Sequence, residues 1–288
     1  MGHRRTGVIA YLLIAFGTAW GGIAFVYFVL DGSLVNPLLQ LPVAFAPAVA
    51  ALVVRKWVAK EGFADAGGRL RVRAAGRYYL LAWAGPAVML AASVALAAAV
   101  GGLRPEFGPL PEQALGADLP WAAVLGLALV GPVLAMPVFW GEEFGWRGYL
   151  QQRVGRGPLS AALVTGLVWA AWHYPLVFTD YTGGEDAALT AATWTVQIVL
   201  QAVVLAWLFL RSGSVWVACL AHAGNNLVIG TFGHPLLVVQ GGFAGWQVNL
   251  LEAAPLAVVC AWILLTGRLR DAEMAQNTLS GGIPAAVR

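Results

Sequence analysis

The chain has 288 residues, of which 60% are hydrophobic and 11% charged, with a formal net charge of +3. A mean hydropathy of +0.74 excludes an ordinary soluble domain of this length. The apolar residues form continuous runs of about 20, each long enough to cross about 30 Å of hydrocarbon. Such runs predict an all-α fold, a polytopic membrane helical bundle. The basic residues lie between the runs, so we interpret them as a topology signal rather than as a nucleic-acid site.

The apolar runs predict about eight transmembrane helices. We expect them at residues 7–30, 41–58, 78–100, 119–153, 159–178, 189–210, 215–232 and 250–266. The first run is too long for a cleaved signal peptide, so we expect it to be retained. The fourth is the longest, and Pro132 and Pro137 predict a break or tilt in it. We expect residues 1–270 to form a single integral membrane domain and the polar tail 271–288 to be disordered.

The charges predict the orientation of the bundle. With the N-terminus inside, the cytoplasmic segments hold every Lys and Arg except Arg104, so both termini are expected in the cytoplasm. The basic segment from Lys60 to Arg77 either lies against anionic lipid headgroups or is a solvated loop that fixes orientation. We expect a multi-pass protein of a cell membrane, the inner or plasma membrane of a bacterium, with membrane lipids among its partners. Cys219 and Cys260 lie in apolar runs and are expected to be free.

Two adjacent carboxylates, Glu142 and Glu143, follow the apolar part of the fourth run. A charge near the bilayer centre costs about 2.5–3.5 kcal/mol, so the pair needs a function or a partner. Arg147 stands four residues after Glu143, the favourable order for a helical ion pair. Glu142 points about 100° away from Glu143 on a helix and is less well neutralised. It is therefore our candidate for a general base or acid.

Two later runs also carry polar side chains. A lone buried histidine such as His173 is more often a packing residue than a catalytic one. His222 and Asn226 stand four residues apart and share a helix face, which also suits an interhelical hydrogen-bond pair. Apart from residues near span ends, however, the strongly polar intramembrane residues come from only three runs. A carboxylate, two imidazoles and an amide could together activate water and stabilise an oxyanion, so we predict a hydrolytic centre in a water-filled cavity.

These motifs resemble those of the CAAX-processing and bacteriocin-processing (CPBP) family of intramembrane proteases, also called the Abi or type II CAAX prenyl endopeptidase family. The resemblance covers residues 121–232 and rests on Glu-Glu-x-x-x-Arg, Phe-x-x-x-His and His-x-x-x-Asn motifs in that order. The matching residues are Glu142, Glu143 and Arg147, then His173, then His222 and Asn226. One departure is Trp169, which occupies the Phe position of the second motif. It puts the size of the substrate in doubt, not the chemistry.

The resemblance implies a role for each matched residue. Glu142 and His173 would activate the attacking water, and His222 and Asn226 would stabilise the tetrahedral oxyanion. Glu143 and Arg147 would form an ion pair that orients these catalytic residues. The implied activity is that of an intramembrane endopeptidase that cuts a membrane-associated, lipidated or peptide substrate near the cytoplasmic side.

Two other functions and one cofactor stay open on the sequence. The chain could be a non-proteolytic scaffold or chaperone that keeps the protease fold, or a proton-coupled transporter that uses Glu142 and the two histidines. The family has been described both as metal-dependent and as metal-free, and this sequence lacks a His-Glu-x-x-His zinc motif. We expect no cofactor. Glu142, His173 and His222 are the alternative zinc ligands, because two histidines and a glutamate are a known catalytic set.

Overall fold

The structure is a computed structural model that describes residues 2–182 and 186–270. Every regular element in these ranges is helical, as predicted, and eight helices are long and apolar enough to cross a membrane. In chain order, α1 to α8 are Arg4–Val29, Pro37–Val58, Val72–Gly101, Trp121–Leu150, Pro158–Phe178, Ala187–Ser212, Val215–Gln240 and Gly245–Leu265. The tail 271–288 lies outside the described residues, and the single-domain interpretation stays a prediction.

Several of these helices contain wider or tighter turns. π-Helical turns occupy Phe25–Val29, Val54–Val58, Trp146–Leu150, Asn225–Gly230 and His234–Gln240. Helix α5 ends in the 3₁₀ segment Tyr174–Phe178, and short helices in the connections are Ala64–Ala66, Leu110–Leu115 and Asp180–Thr182. π-Helical turns are rare and often occur at functional sites. Two of them directly follow or contain predicted site residues on α4 and α7.

Helix α4 differs from the prediction, because it is unbroken from Trp121 to Gly145. No break occurs at Pro132 or Pro137. Prolines are tolerated in membrane helices when neighbouring groups satisfy the freed carbonyls. Pro132 leaves the Ala128 carbonyl without its helical N–H donor. The indole of Trp83 donates to the next carbonyl, that of Leu129, at 2.7 Å.

The last two spans also differ from the predicted bounds. Helix α7 continues to Gln240 instead of ending at residue 232, and α8 begins at Gly245 instead of residue 250. Glu252 therefore lies two turns inside α8 rather than at its end. There it accepts a hydrogen bond from Gln197 of α6. The statement that polar intramembrane residues come from only three spans is thus wrong.

Two glycines bring α2 close to α4 beside the glutamates. A Cβ atom on Gly145 would stand 2.4 Å from Cβ of Pro47, and one on Gly141 would stand 2.7 Å from the Ala44 carbonyl oxygen. Small residues four apart allow membrane helices to approach in this way. Since Gly141 and Gly145 share one face of α4, Glu143 points about 200° away from Gly141, toward other helices.

The connections between helices meet in two sets. The Val215 amide donates to the Gly67 carbonyl at 2.9 Å, which joins two connections predicted to be cytoplasmic. The Leu34 amide donates to Oδ1 of Asp180 at 3.1 Å, which joins two connections predicted to lie outside. This grouping agrees with eight crossings of alternating direction. Which set faces the cytoplasm stays a prediction.

A buried arginine ties the basic connection to the end of α4. Arg55 is fully buried, donates to the Gly148 carbonyl at 2.7 Å and forms an ion pair with Asp65 at 2.8 Å. Arg153 pairs with Asp65 at 3.1 Å and also contacts Glu61. Burial would raise the pKa of Asp65, but the hydrogen bonds and charges of the two arginines outweigh it and hold the pKa below its usual value. The connection is therefore anchored to α2 and α4.

Candidate active site

The C-terminal part of α4 is enclosed by the bundle. All ten residues from Gly141 to Leu150 are buried. The predicted ion pair forms there, with Arg147 Nη1 2.9 Å from Oε1 of Glu143 and both side chains fully buried. Arg147 pairs with Glu143 and not with Glu142. Because the pair neutralises only one carboxylate, Glu142 brings a second negative charge into a dry region whenever it is ionised.

Glu142 is held on one oxygen only. Its Oε2 accepts hydrogen bonds from the indole Nε1 of Trp169 at 2.6 Å and of Trp146 at 3.3 Å. Oε1 accepts no hydrogen bond from the described residues and is not among their fully buried, unpaired atoms. The carboxylate therefore has a fixed plane and one free oxygen. The side chain as a whole is 7% exposed.

His173 lies one turn after Trp169 on α5. Its Nδ1 is 2.8 Å from the Trp169 carbonyl oxygen. Because a carbonyl only accepts hydrogen bonds, Nδ1 carries a proton, and in the neutral ring Nε2 keeps its lone pair. The imidazole packs against Trp172 and Trp194, with ring centroids 4.8 and 5.0 Å away. These contacts fix the ring and direct a basic nitrogen away from the α5 backbone.

His222 is bonded to the ion pair, a contact that the sequence did not predict. Its Nδ1 lies 2.9 Å from Oε1 of Glu143, the oxygen that Arg147 also contacts. That carboxylate is an acceptor, so Nδ1 is the protonated nitrogen. The ring packs between Phe139 at 4.7 Å and Trp169 at 5.0 Å. His222 can therefore donate from Nε2 only when the whole ring is protonated.

Asn226 is placed differently from the other predicted residues. It is exposed, and its side chain forms no hydrogen bond with the residues that the structure describes. It lies in the π-helical turn Asn225–Gly230, which starts after His222. The winding changes between His222 and Asn226, so the shared face of the two side chains stays a prediction. A role for Asn226 at the oxyanion stays a prediction.

The structure thus brings five of the six predicted site residues together. Trp169, which was not among the predicted site residues, lies at the centre of this group. Trp169 is 1% exposed and contacts its neighbours through its indole nitrogen, its carbonyl and its ring. The contacted residues are Glu142, Arg147, His173 and His222. Its aromatic side chain in an apolar helix gave no signal of a polar contact. Its position one turn before His173 was the only available indication.

The alternative zinc ligands do not form a metal-binding group as they stand. Within residues 2–182 and 186–270, no three His, Cys, Asp or Glu side chains are arranged to hold one ion. Glu142 already receives two indole hydrogen bonds on Oε2. The expectation that no cofactor is needed stays a prediction, with zinc on these three residues as its alternative.

Comparison with known proteins agrees with the motifs. Residues 117–228 match the family model described as Type II CAAX prenyl endopeptidase Rce1-like. The chain is also similar to CAAX prenyl protease 2 of Methanococcus maripaludis, with 26% identity over 133 residues. That match covers 43% of this chain and 45% of the relative, so it spans less than half of either protein. Residues 117–228, which hold the Glu142, His173 and His222 positions, are therefore similar to an Rce1-like type II CAAX prenyl endopeptidase domain.

Proposed function

We propose that this chain is an intramembrane endopeptidase in which Glu142 and His173 activate the attacking water. One observation carries the proposal: two indoles hold one oxygen of the Glu142 carboxylate and leave the other oxygen free. One of these two residues, Trp169, also fixes the ring of His173 through its backbone carbonyl. A base must be positioned before its proton affinity matters. The unengaged Oε1 of Glu142 and the Nε2 lone pair of His173 are the two basic atoms of this arrangement.

The proposed reaction needs no group beyond the substrate and one water molecule. The water oxygen bonds to the carbonyl carbon while Glu142 Oε1 takes one of its protons and His173 Nε2 accepts a hydrogen bond from the other. When the tetrahedral intermediate collapses, the carbon–nitrogen bond breaks and Glu142 returns its proton to the leaving amine. The enzyme is thereby restored, and the products are a carboxyl and an amino end.

His222 is proposed to stabilise the oxyanion in its protonated form. Its Nδ1 proton is engaged by Glu143, so only an imidazolium has an Nε2 proton to offer. With both carboxylates ionised, the Glu142, Glu143 and Arg147 group has one excess negative charge. A proton on His222 would neutralise that charge inside the bundle, where an uncompensated charge is costly. Asn226 is proposed to add an amide donor once substrate fills the site.

The substrate is proposed to be a membrane-associated or lipidated peptide or protein, cut near the cytoplasmic side of a bacterial cell membrane. Glu142 stands eight residues before Leu150, the last residue of α4. At 1.5 Å per residue this is about 12 Å from that end of the span. The similar protein of Methanococcus maripaludis is named a prenyl protease, which makes a prenylated peptide the first probe to use.

The test compares Glu142→Gln with wild-type protein in liposomes. The probes are a farnesylated CAAX peptide and an unprenylated single-span peptide, and new N-termini in the membranes of expressing cells are mapped in parallel. We expect Glu142→Gln to fold normally and to lose cleavage by a factor of about 10²–10⁴, the usual contribution of a general base. Equal cleavage by the variant would contradict the proposal, and an intact cellular phenotype with it would favour a scaffold.

Glu252→Gln is the matched control, because it makes the same substitution at another intramembrane glutamate. Glu252 contacts Gln197 on α6 and none of the proposed catalytic residues. We expect this variant to cleave like the wild type. Metal dependence is tested separately, by assaying protein stripped with a chelator and measuring its zinc content. Activity that disappears with the zinc and returns on its addition would overturn the metal-free step.

A further inference from the structure

Trp169 makes a contact with the proposed base that phenylalanine cannot make. Its indole Nε1 donates to Oε2 of Glu142 at 2.6 Å, the shorter of the two hydrogen bonds on that oxygen. The indole nitrogen is a donor only, so its role in the bond is not ambiguous. A hydrogen bond to an ionised group is about twice as strong as one between neutral groups. Tryptophan in place of phenylalanine at this motif position therefore adds a hydrogen bond to the Glu142 carboxylate.

The same residue supports both halves of the proposed water-activating pair. The backbone carbonyl of Trp169 fixes His173 through Nδ1 at 2.8 Å, while its side chain fixes Glu142. The carbonyl contact is available to any residue at this position, whereas the side-chain contact requires an N–H group. A substitution at 169 can thus release Glu142 and leave His173 in place.

We propose that Trp169 is a positioning residue for Glu142, whose indole N–H holds one carboxylate oxygen so that the other faces the reacting water. The inference rests on the proposed hydrolytic function of Glu142. Trp146 supports the same oxygen from 3.3 Å, a longer and weaker bond, and it lies on the same helix as Glu142. The expectation that tryptophan at 169 affects only substrate size is replaced by a role in aligning the base.

A purely packing role for Trp169 must be separated from this one. Its buried ring lies 5.0 Å from the His222 ring, and Cζ of Arg147 stands 4.5 Å from its centroid. Trp169→Phe removes both the N–H group and part of this packing. Replacing Trp169 by β-(3-benzothienyl)alanine keeps the bicyclic shape and substitutes sulfur for the N–H group. Only the hydrogen bond to Glu142 is then lost.

The experiment measures kcat and KM in liposomes for the probe that the wild type cleaves fastest. We expect the benzothienylalanine variant and Trp169→Phe to lose kcat by roughly 10–100-fold, the range for a hydrogen bond to a charged group. Their KM should stay within about twofold, because the carboxylate acts on water rather than on substrate binding. Trp146→Phe should show a smaller loss of kcat, in line with its longer bond.

Trp216→Phe is the matched control. Its indole donates to the Gly68 carbonyl at 2.9 Å, in a connection between helices, and it makes no hydrogen bond to Glu142. We expect it to keep kcat. If the benzothienylalanine variant retains wild-type kcat while Glu142→Gln is inactive, the role of Trp169 is overturned and the proposed function survives. Cleavage that persists in Glu142→Gln overturns both.

Discussion

The two parts of helix α4 face opposite environments. In Trp121–Trp140 most of the leucines and valines are exposed, as in Leu134 at 74% exposure, while all ten residues from Gly141 to Leu150 are buried. The first part is what a hydropathy scan recognises as a span. The second carries both glutamates and the arginine. In a membrane helix, the residues that lack a protein partner are apolar and face lipid, so polar residues concentrate where other helices enclose them.

The comparison also explains why the site tolerates so much charge. Each charged group in the buried part has a specific partner from another turn or another helix: Arg147 and His222 for Glu143, and two indoles for Glu142. The exposed part of the same helix has no such partners and no charges. Breaking one of these contacts tests how strongly the buried part depends on them.

The largest effect on stability is expected from Arg147→Met. It leaves Glu143 buried without its guanidinium partner, and breaking a buried ion pair costs about 3–5 kcal/mol. Thermal unfolding in detergent should therefore show a large loss of stability. Arg156→Met, an exposed arginine in the connection after α4, is the control and should change little. A similar small loss in both variants would show that the Glu143 pair contributes nothing.

The double variant Glu143→Gln with Arg147→Met sharpens the result. It removes both charges, so neither is left unpaired, although the Nδ1 proton of His222 must then bond to a neutral amide oxygen. We expect it to be more stable than Arg147→Met alone, because replacing both members of a buried pair is often tolerated. If the double variant is instead less stable than Arg147→Met, the loss of stability in the single variant does not come from the unpaired charge of Glu143.

The next effect concerns the close approach of α2. Gly145→Ala would place a methyl group 2.4 Å from Pro47, so α2 must move away from the buried part of α4. Overpacking of this kind costs about 1–3 kcal/mol, which a thermal shift in detergent would detect. Gly126→Ala makes the same change in the exposed part of the helix, where no atom lies within 4 Å of the added carbon. Equal shifts in the two variants would contradict the packing difference.

The sequence predicted the number of spans, because lipid demands long apolar runs and few other features produce them. It also predicted the Glu143–Arg147 ion pair, since both partners lie on one helix at a known spacing. Gly141 and Gly145 stand four residues apart, a spacing that indicates close contact between membrane helices, but the prediction did not include this contact. In contrast, span ends were predicted poorly at α7 and α8, where helix continues into polar or glycine-containing sequence that hydropathy assigns to loops.

The contacts between helices could not be predicted in the same way. The bond from His222 to Glu143 depends on how α7 packs against α4, and no spacing along the chain encodes that. Trp169 was known only as a departure from a motif, because its hydrogen bond needs the carboxylate of another helix within reach. Asn226 lies in a π-helical turn, so the spacing rule for α-helices does not by itself fix the direction of its side chain.

The smallest effect is expected where the buried part of α4 is tied to the membrane border. Asp65 pairs with Arg55, which donates to the Gly148 carbonyl, and the arginines hold the pKa of Asp65 below its usual value despite its burial. A depressed carboxyl pKa contributes stability above the unfolded pKa of about 3.9, and the contribution fades as pH falls through the folded value. Because the Asp65 side chain is 42% exposed, screening should limit it to about 1 kcal/mol.

Asp65→Asn should therefore lower the unfolding temperature at pH 7, and its difference from the wild type should shrink progressively as the pH falls below about 3.9 and the Asp65 carboxylate takes up a proton. Asp118→Asn, in an exposed connection with no ion pair among the described residues, should match the wild type throughout. A difference for Asp65→Asn that stays constant as the pH falls would mean that its carboxylate charge is not the cause. Convergence would show that an ion pair outside the span contributes to the stability of the buried part of α4. The exposed part of the same helix carries no charge and has no ion pair of this kind.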